Sequence, residues 1–417
     1  MRRPDRKEDA KNLSLISVSG VIAFIVTAAL IYAHNNMDRA PFPIPTPATV
    51  AIPLAELGPV SGSPRLYGTA VTRRGAKLTG LIRWDRNEGS WADVLDAVKM
   101  RDRGSVTQAG IRFGHVHRIE PLNGSEALFT LKSGEHLRMG ARATDLGDGL
   151  RAFLIDVPGR GTQELQWRDL ELVEFEPAPE GVEPSEARVY GTLTTRSGLD
   201  FSGYIAWDVD EIYTTDVLDG EAEGVDRAIP FGSIGAIERA GSGGARVTLL
   251  DGSTVVLRGT NDVNSSISGI SVSDPTLGEV KLGWDEFDRV RFHSADAEPG
   301  WGFFDGGHPI VGTVVTEAGQ EYSGEIAWDN DETASWEMLN GEMDGVELQV
   351  EFGNIARIRK TGRGALVELK DGRSFELDGS NDVDDGNRGI TVRNGAESHE
   401  VEWDEFSELR LAEGRSG

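Results

Sequence analysis

One stretch of sequence occurs three times in this chain and constrains its fold more than any other feature. Residues 311–332 read VGTVVTEAGQEYSGEIAWDNDE, residues 190–211 read YGTLTTRSGLDFSGYIAWDVDE, and residues 67–88 read YGTAVTRRGAKLTGLIRWDRNE. Apolar and polar residues alternate through the second half of each copy, which is the period of a β-strand with one buried face. The spacing of the copies is too long for a propeller blade or a solenoid turn, so it predicts three tandem domains of ordinary size.

Each copy is followed by a hairpin signature. Residues 365–379 (ALVELKDGRSFELDG) and 245–259 (ARVTLLDGSTVVLRG) place Asp-Gly between two alternating runs, and residues 127–140 (ALFTLKSGEHLRMG) place Ser-Gly there. Asp-Gly between such runs is a strong signal for a tight hairpin turn. These segments therefore add a further pair of strands to each repeat.

Each repeat also reads as two similar halves. A motif of one aromatic residue, two small or polar residues and one apolar residue closes the first half at Phe352 and the second half at Trp403. Each half then runs strand, glycine turn, bent strand, loop, strand, short turn, strand, which is similar to the pattern of small SH3-like or Sm-like barrels. We therefore predict a mainly β chain: an N-terminal transmembrane helix, then three tandem all-β repeats, each made of two such barrels or half-barrels.

The predicted membrane segment lies at the N-terminus. Residues 1–12 carry five lysines and arginines, and residues 13–33 (LSLISVSGVIAFIVTAALIYA) carry no charge. At about 1.5 Å per residue this run spans roughly 30 Å, the thickness of a bilayer core. The basic flank places residues 1–12 in the cytoplasm and the repeats outside it, as in a single-pass protein of the cell membrane. A cleaved signal peptide on a secreted protein is the alternative.

The other boundaries follow from composition and from the repeat. Residues 34–64 are rich in proline, which favours a stiff, extended spacer. We place the three repeats at residues 65–176, 188–293 and 309–411. The linker between the second and third repeats contains Trp301, Phe303 and Phe304, which we expect to cover a seam between domains. Helices should be few, and the best candidates are residues 91–100, 215–218 and 336–339.

Charge and cysteine content limit the classes of partner and of site. The formal net charge is −27, and a polyanion binds DNA or RNA poorly because phosphate neutralisation supplies most of that affinity. Strong acidity fits solubility, cation binding or basic partners instead. The chain has no cysteine, which excludes disulfides, thiolate metal sites and cysteine nucleophiles.

Acidic residues cluster where the bent strand of the second and third repeats ends. The candidate ligands for a hard cation such as Ca²⁺ are Asp208, Asp210, Glu211, Asp329, Asp331 and Glu332. The EF-hand pattern is absent because neither its glycine nor its twelfth-position glutamate is present. A solvated turn without a metal explains the same residues, and the first repeat has Arg86 and Asn87 within its equivalent stretch.

A second matched pair of polar loops follows the Asp-Gly hairpins. Its residues are Asn261, Asp262 and Asn264 in the second repeat and Asn381, Asp382 and Asp384 in the third. Asn and Asp can close turns by bonding their own backbone. Loops on a rigid β scaffold also commonly carry binding sites, so these loops are either turn closures or a binding rim.

Motifs of catalysis are not found in the sequence. The seven histidines show no metal-binding spacing, and the chain has no nucleophile elbow, phosphate loop or dinucleotide fingerprint. The repeated tryptophans, such as Trp84, Trp207 and Trp328, are predicted core anchors. We expect a non-catalytic binding or scaffold protein without a required cofactor, whose partner is an envelope protein or polymer. A sensor of small ligands or Ca²⁺ and an enzyme with an unrecognised site are the alternatives.

Overall fold

The structure is a computed structural model that describes residues 63–412, apart from 101–105, 183, 185 and 296–298. The prediction of a mainly β fold is confirmed, since the described residues form antiparallel strands and single-turn 3-10 segments without any α-helix. None of the described residues belongs to a helix long and apolar enough to span a membrane. The predicted membrane span at 13–33 and nearly all of the proline-rich spacer lie outside the described residues.

Thirty strands make up the described part of the chain, ten in each repeat. The first repeat contains β1 (Tyr67–Thr72), β2 (Lys77–Trp84), β3 (Val94–Met100), β4 (Val106–Arg112), β5 (Val116–Pro121), β6 (Glu126–Leu131), β7 (His136–Ala141), β8 (Phe153–Val157), β9 (Gly161–Leu165) and β10 (Leu170–Phe175). The second contains β11 (Tyr190–Thr195), β12 (Asp200–Trp207), β13 (Val217–Ala222), β14 (Val225–Pro230), β15 (Ile234–Arg239), β16 (Ala245–Leu249), β17 (Thr254–Leu257), β18 (Ile270–Asp274), β19 (Gly278–Leu282) and β20 (Phe287–Phe292). The third contains β21 (Val311–Thr316), β22 (Glu321–Ala327), β23 (Met338–Met343), β24 (Val346–Glu351), β25 (Ile355–Lys360), β26 (Ala365–Leu369), β27 (Ser374–Leu377), β28 (Ile390–Asn394), β29 (Glu397–Val401) and β30 (Phe406–Leu411).

Strands of the two sequence halves are exchanged within the first repeat. Its ten-stranded sheet has the order β4-β3-β7-β6-β5-β10-β1-β2-β8-β9. The set β10-β1-β2-β8-β9 therefore combines the first hairpin of one half with the last three strands of the other, and β5-β6-β7-β3-β4 is its counterpart. The two sets join where β5 pairs with β10, through Ile119 and Val173. Neither half of the sequence forms its sheet alone, because each supplies the strands that the other lacks.

The second and third repeats keep most of this order but differ in one hairpin each: β13–β14 forms a separate two-stranded sheet, and β23–β24 joins the neighbouring repeat. Strands β20-β11-β12-β18-β19 and β30-β21-β22-β28-β29 repeat the arrangement of β10-β1-β2-β8-β9. The hairpin β23–β24 belongs to the third repeat in sequence, yet β24 pairs with β19 and extends the sheet of the second repeat. Gly278 lies at this contact, where any side chain would meet the carbonyl oxygen of Gln349. One repeat thus supplies the edge strands of its neighbour.

The division of the hydrophobic core among the repeats reflects this pairing of strands across repeats. Buried residues of the second and third repeats form one continuous cluster, so these two repeats do not have the separate cores expected of independent domains. The first repeat has its own cluster, which also takes in Phe304 from the linker and Trp336 from the third repeat. All described residues fall in a single compact unit.

The tryptophan anchors and the aromatic linker lie where the sequence predicted. Trp84, Trp207 and Trp328 are fully buried, each at the end of the bent strand of its repeat. Trp301, Phe303 and Phe304 pack against the core of the first repeat, and the two ring centroids of Trp301 and Trp91 are 4.8 Å apart. The linker therefore covers a seam between repeats.

The three helix candidates are wrong. Residues 91–100, 215–218 and 336–339 each form a turn that leads into a strand, namely β3, β13 and β23. In the first repeat the carboxylate of Asp93 accepts hydrogen bonds from the backbone N–H groups of Gly89 and Ser90. This contact closes the turn, and the residues that follow pair with β4, so tertiary pairing overrides the helix propensity of alanine and leucine.

Candidate functional site

The acidic stretches predicted from the sequence form tight turns at the ends of β2, β12 and β22. In the third repeat the backbones of Trp328 and Glu332 hydrogen-bond to each other in both directions. Asp329 and Asn330 between them have φ angles of 47° and 54°, in the left-handed region that Asn and Asp tolerate best. The other two repeats have the same turn, with positive φ at the pairs Asp85 and Arg86, and Asp208 and Val209.

The first aspartate of each turn is occupied by hydrogen bonds within the protein. Asp329 accepts the backbone N–H and the guanidinium of Arg388, with Nη2 at 2.6 Å, together with the side-chain amide of Asn381. Asp208 accepts the backbone N–H of Ser268 at 2.5 Å and the side-chain amide of Asn261. Both carboxylates therefore fasten the turn to the predicted polar loop of the same repeat.

Asp85 does the same in the first repeat. It accepts the backbone N–H of Arg151 and the hydroxyl of Thr144, each at 2.5 Å, and the guanidinium Nε of Arg151 at 3.0 Å. The equivalent position in the second repeat is Ser268, so Asp208 has no arginine partner among the described residues.

The aspartate of each polar loop accepts two hydrogen bonds from other parts of its repeat. In the third repeat the carbonyl oxygen of Asp382 accepts Trp328 Nε1 at 2.8 Å, and its carboxylate accepts the backbone N–H of Asn340 at 2.7 Å. Asp262 makes the same pair of bonds in the second repeat. Asp145 does so in the first repeat, where the sequence of the loop is more divergent.

These contacts bring three carboxyl groups together in every repeat. We call these sets carboxyl clusters and number them by repeat. Cluster 1 contains Asp85, Glu88 and Asp145, cluster 2 contains Asp208, Glu211 and Asp262, and cluster 3 contains Asp329, Glu332 and Asp382. Oε2 of each glutamate is buried and accepts no hydrogen bond from another described residue. In cluster 3 one ligand atom from each of the three residues lies within 4.8 Å of the others.

Burial and crowding favour the protonated form of these glutamates. Burial raises the pKa of Glu332 well above its ordinary value, and Asp382 and Asp331 raise it further. Burial together with Asp210 raises the pKa of Glu211 to about 9. Burial and Asp145 likewise raise the pKa of Glu88 well above its ordinary value. In each cluster, burial and neighbouring carboxyl groups therefore favour the protonated form of the glutamate.

The remaining predicted residues have more local contacts. Asp331 is buried with Lys99 Nζ at 3.5 Å, whereas Asp210 is partly exposed, 3.9 Å from Arg151. Asn264 Oδ1 and Asp384 Oδ1 accept the backbone N–H groups of Ser266 and Gly386, which closes their loops. These two bonds close turns within the loops, and a binding rim on the same loops stays a prediction.

A second matched set of acids was missed by the sequence reasoning. Asp93, Asp216 and Glu337 occupy equivalent positions after the three turns, and each accepts two backbone N–H groups of its own repeat. Each also pairs with a cation from another repeat: Arg188 at 2.8 Å from Asp93, Arg83 at 3.1 Å from Asp216, and Lys99 in contact with Glu337. Aligning the three copies beyond the Trp-Asp motif would have found an acid at this position in every repeat.

Arg112 connects all three repeats. Its side chain is fully buried and donates to the carbonyl oxygens of Asp274 and Pro275 in the second repeat, each at 2.8 Å. Its Nε lies 2.9 Å from Glu351 Oε2 in the third repeat, and Glu351 also contacts His115 of the first. Burial alone would raise the pKa of Glu351, but Arg112 and His115 outweigh it and hold that pKa below its ordinary value.

A cavity opens where the three repeats meet. It has a volume of about 600 Å³, within the usual range of ligand pockets. We call it the junction cavity; its wall includes cluster 1 residues Glu88 and Asp145, β18 and β19 of the second repeat, and Glu342 and Glu347 of the third. The cavity offers carboxyl oxygens and hydrocarbon side chains to a ligand.

Comparison of the chain with protein-family models, with curated proteins and with solved structures gave no significant match.

Proposed function

We propose that the chain is a membrane-anchored, non-catalytic binding protein that presents its repeats outside the cytoplasm to an envelope protein or polymer. The observation that carries this proposal is the joining of the three repeats into one compact unit, through β24 on β19 and the buried side chain of Arg112. A rigid surface loses less conformational entropy when it binds a partner than a string of loosely linked modules does.

The membrane part of the proposal rests on the N-terminal sequence. Five basic residues precede the uncharged run at 13–33, and the proline-rich residues 34–64 would hold the repeats away from the bilayer. Secretion after cleavage of residues 1–33 is the alternative. The net charge of −27 favours a partner with basic groups and disfavours nucleic acid.

The fold part of the proposal is that each repeat consists of two SH3-like or Sm-like units with exchanged strands. The support is that β10-β1-β2-β8-β9 and β5-β6-β7-β3-β4 in the first repeat each combine strands of both halves in corresponding order. Such units bind partners through loops and free edge strands, and β9 and β29 are unpaired on one side among the described residues.

The test is chemical cross-linking of the tagged full-length protein in its native membranes, followed by identification of what co-purifies. We expect one abundant envelope protein or polymer to be captured. A chain of residues 1–64 alone is the control for capture by the anchor and spacer. Equal capture by that control, or repeats that protease cannot reach from outside the intact membrane, would contradict the proposal.

A cation sensor is the second candidate function, and carboxyl cluster 3 is the observation that favours it. The ligand atoms of Asp329, Glu332 and Asp382 are close enough to share one ion. Arg388 already neutralises Asp329, which weakens the case. If the site binds Ca²⁺, millimolar Ca²⁺ should raise the melting temperature of the wild type but not that of Asp382→Asn, and EDTA should reverse the effect.

A further inference from the structure

We propose that the junction cavity binds a small organic cation, a short-chain diamine or polyamine, through Glu88 and the surrounding carboxyl groups. This inference concerns a different site from cluster 3 and does not depend on the membrane partner. The cavity wall carries more acidic than basic side chains.

Acidic side chains outnumber basic ones in that wall. The carboxyl groups are those of Glu88, Asp93, Asp96, Asp145, Glu279, Glu342 and Glu347, and the cations are those of Arg151, Arg188 and Lys281. Every cation already has an anionic partner: Arg188 binds Asp93 at 2.8 Å, Lys281 binds Asp96 at 2.8 Å, and Arg151 binds Asp85 at 3.0 Å. No ion pair with another described residue is formed by Glu88, Asp145, Glu342 or Glu347. The cavity therefore has carboxyl groups without a cation partner among the described residues, contributed by the first repeat and by the third.

Glu88 is the group that points to a ligand. It is only 3% exposed, it lines the cavity, and its Oε2 has no hydrogen-bond partner among the described residues. A buried carboxyl oxygen without a partner costs free energy, about 1–3 kcal/mol for an ordinary polar group. An ammonium group in the cavity would supply the missing hydrogen-bond donor to this oxygen.

A second carboxyl oxygen without a hydrogen-bond partner lies near Oε2 of Glu88, and Asp145 lies between the two residues. Asp96 Oδ1 also has no hydrogen-bond partner among the described residues, although Oδ2 of the same group pairs with Lys281. Asp145 accepts the backbone N–H of Asp96 at 2.7 Å, and its charge contributes to the raised pKa of Glu88. Glu88 and Asp96 of the first repeat each have a free acceptor oxygen among the described residues, and Glu342 and Glu347 of the third repeat form no ion pair there. This distribution of carboxyl groups suits a ligand with more than one ammonium group.

The shape and lining of the cavity favour an organic amine over a metal ion. A divalent metal needs several oxygen atoms gathered at one point. Among the described residues the one such group is Asp329, Glu332 and Asp382, and it lies outside this cavity. The carboxyl groups here are distributed over about 600 Å³, with Val94, Val209, Ile270 and Leu282 also in the wall. These apolar side chains can cover the methylene groups between two ammonium ends.

Binding should release a proton. Burial, Asp145, Asp85 and Asp93 raise the pKa of Glu88 well above its ordinary value, against the opposing charge of Arg151, and so favour its protonated form. An incoming ammonium group replaces that proton, so Glu88 becomes a carboxylate in an ion pair and H⁺ leaves to solvent. Arg188 and Lys281 also face the cavity, but both remain paired. Affinity should therefore rise with pH above the ordinary value of 4.5, until the raised pKa of Glu88 is passed.

The test is calorimetric titration of the full-length protein with 1,4-diaminobutane and with spermidine, in two buffers of different ionisation enthalpy. We expect one saturable site, release of protons, and a melting temperature that rises with amine concentration. Glu88→Gln should weaken binding by about 10-fold to 100-fold, as expected for loss of a charge-assisted hydrogen bond. Glu211→Gln is the matched control, since Glu211 is the equivalent glutamate of the second repeat and does not line this cavity.

Two further controls separate the site from general attraction to an acidic protein. 1,4-Butanediol has the same chain without charge and should not bind. Ca²⁺ should not displace the amine at equal concentration. Equal weakening by both glutamine variants, binding of the diol, displacement by Ca²⁺, or no heat at millimolar amine would each overturn the proposal.

Discussion

At the scale of single residues, the buried glutamates decide how the molecule responds to pH. Glu88, Glu211 and Glu332 each follow a tight turn and each lie against an aspartate from a distant loop. Burial and neighbouring charge raise the pKa of all three carboxyl groups, to about 9 for Glu211. The same forces act on the aspartate of cluster 1, where burial and Asp96 raise the pKa of Asp145 to about 7.

The stability of the protein should fall as pH rises. Folding raises the pKa of Glu211 from its ordinary 4.5 to about 9, so the folded chain binds more protons than the unfolded chain between these values. The stabilisation is complete below pH 4.5 and is lost as pH rises through the folded pKa. We expect the melting temperature to fall from pH 5 to pH 9 and the slope to be shallower in Glu211→Gln. The exposed change Glu180→Gln is the control, and equal slopes in both variants would refute the argument.

Trp328 should be the most costly tryptophan of the third repeat to truncate. It is fully buried against Trp403 and Phe406, and its Nε1 donates to Asp382. Trp328→Ala should lower the free energy of unfolding by about 3–5 kcal/mol, measured by urea denaturation. Leu250→Ala, at a side chain that is 70% exposed, should change it by less than about 0.5 kcal/mol. A similar loss in both variants would contradict the core-anchor role.

At the scale of elements, the hairpin β23–β24 has a different partner from its counterpart in the first repeat. There β3 pairs with β7 of its own repeat along a regular ladder. In the third repeat the corresponding contact is a single bridge from Glu342 to Asp378, and β24 pairs with β19 of the second repeat instead. The hairpin thereby covers an edge strand that would otherwise be open to other chains.

Gly278→Val should separate β24 from β19. A Cβ at Gly278 would lie 1.8 Å from the carbonyl oxygen of Gln349, so the two strands must move apart. We expect faster hydrogen exchange of the backbone amides in Val346–Glu351, measured by mass spectrometry, together with a lower melting temperature. Gly243→Val is the matched control because nothing lies within 4 Å of a Cβ there. Unchanged protection in β24 would show that this pairing is not what holds the hairpin.

At the scale of the whole molecule, Arg112 and its partners hold three repeats in one body. The first repeat donates from Arg112 to the β18–β19 turn and to Glu351, while the linker residues Trp301 and Phe304 pack on the core of the first repeat. Removing one member of a buried ion pair leaves the other charge uncompensated.

Arg112→Ala should therefore destabilise the assembly of repeats as well as the first repeat. We expect a loss of about 3–5 kcal/mol in the free energy of unfolding, since Glu351 is left buried without its cation. Limited proteolysis should also cut sooner in the linker at residues 299–308, which loses the packing that protects it. Arg160→Ala, at an exposed arginine in the turn between β8 and β9, is the control. A change below about 0.5 kcal/mol would exclude a central role for Arg112.

Much of the local structure could be predicted because its signals act over a few residues. Alternation from Tyr322 to Trp328 predicts a strand, and Asp-Gly at 371–372 predicts the separate hairpin of β26 and β27, whatever the rest of the chain does. The helix candidates were wrong because contacts outside the local sequence decide the structure there. Residues 91–100 have good helix formers, but the bond from Asp93 to the backbone of Gly89 and the pairing of β3 with β4 depend on the folded context.

The sequence by itself determined the threefold repeat, the mainly β class, the tight turns and the tryptophan anchors, because these depend on residue type and on spacing within one copy. Only the tertiary structure decided the rest. The exchange of strands between halves, the addition of β24 to β19 and the meeting of Glu88 with Asp145 join residues far apart in the chain. Such contacts are selected by the packing and charge of the complete molecule. The same three copies can therefore be recognised in the sequence while the cavity between them cannot.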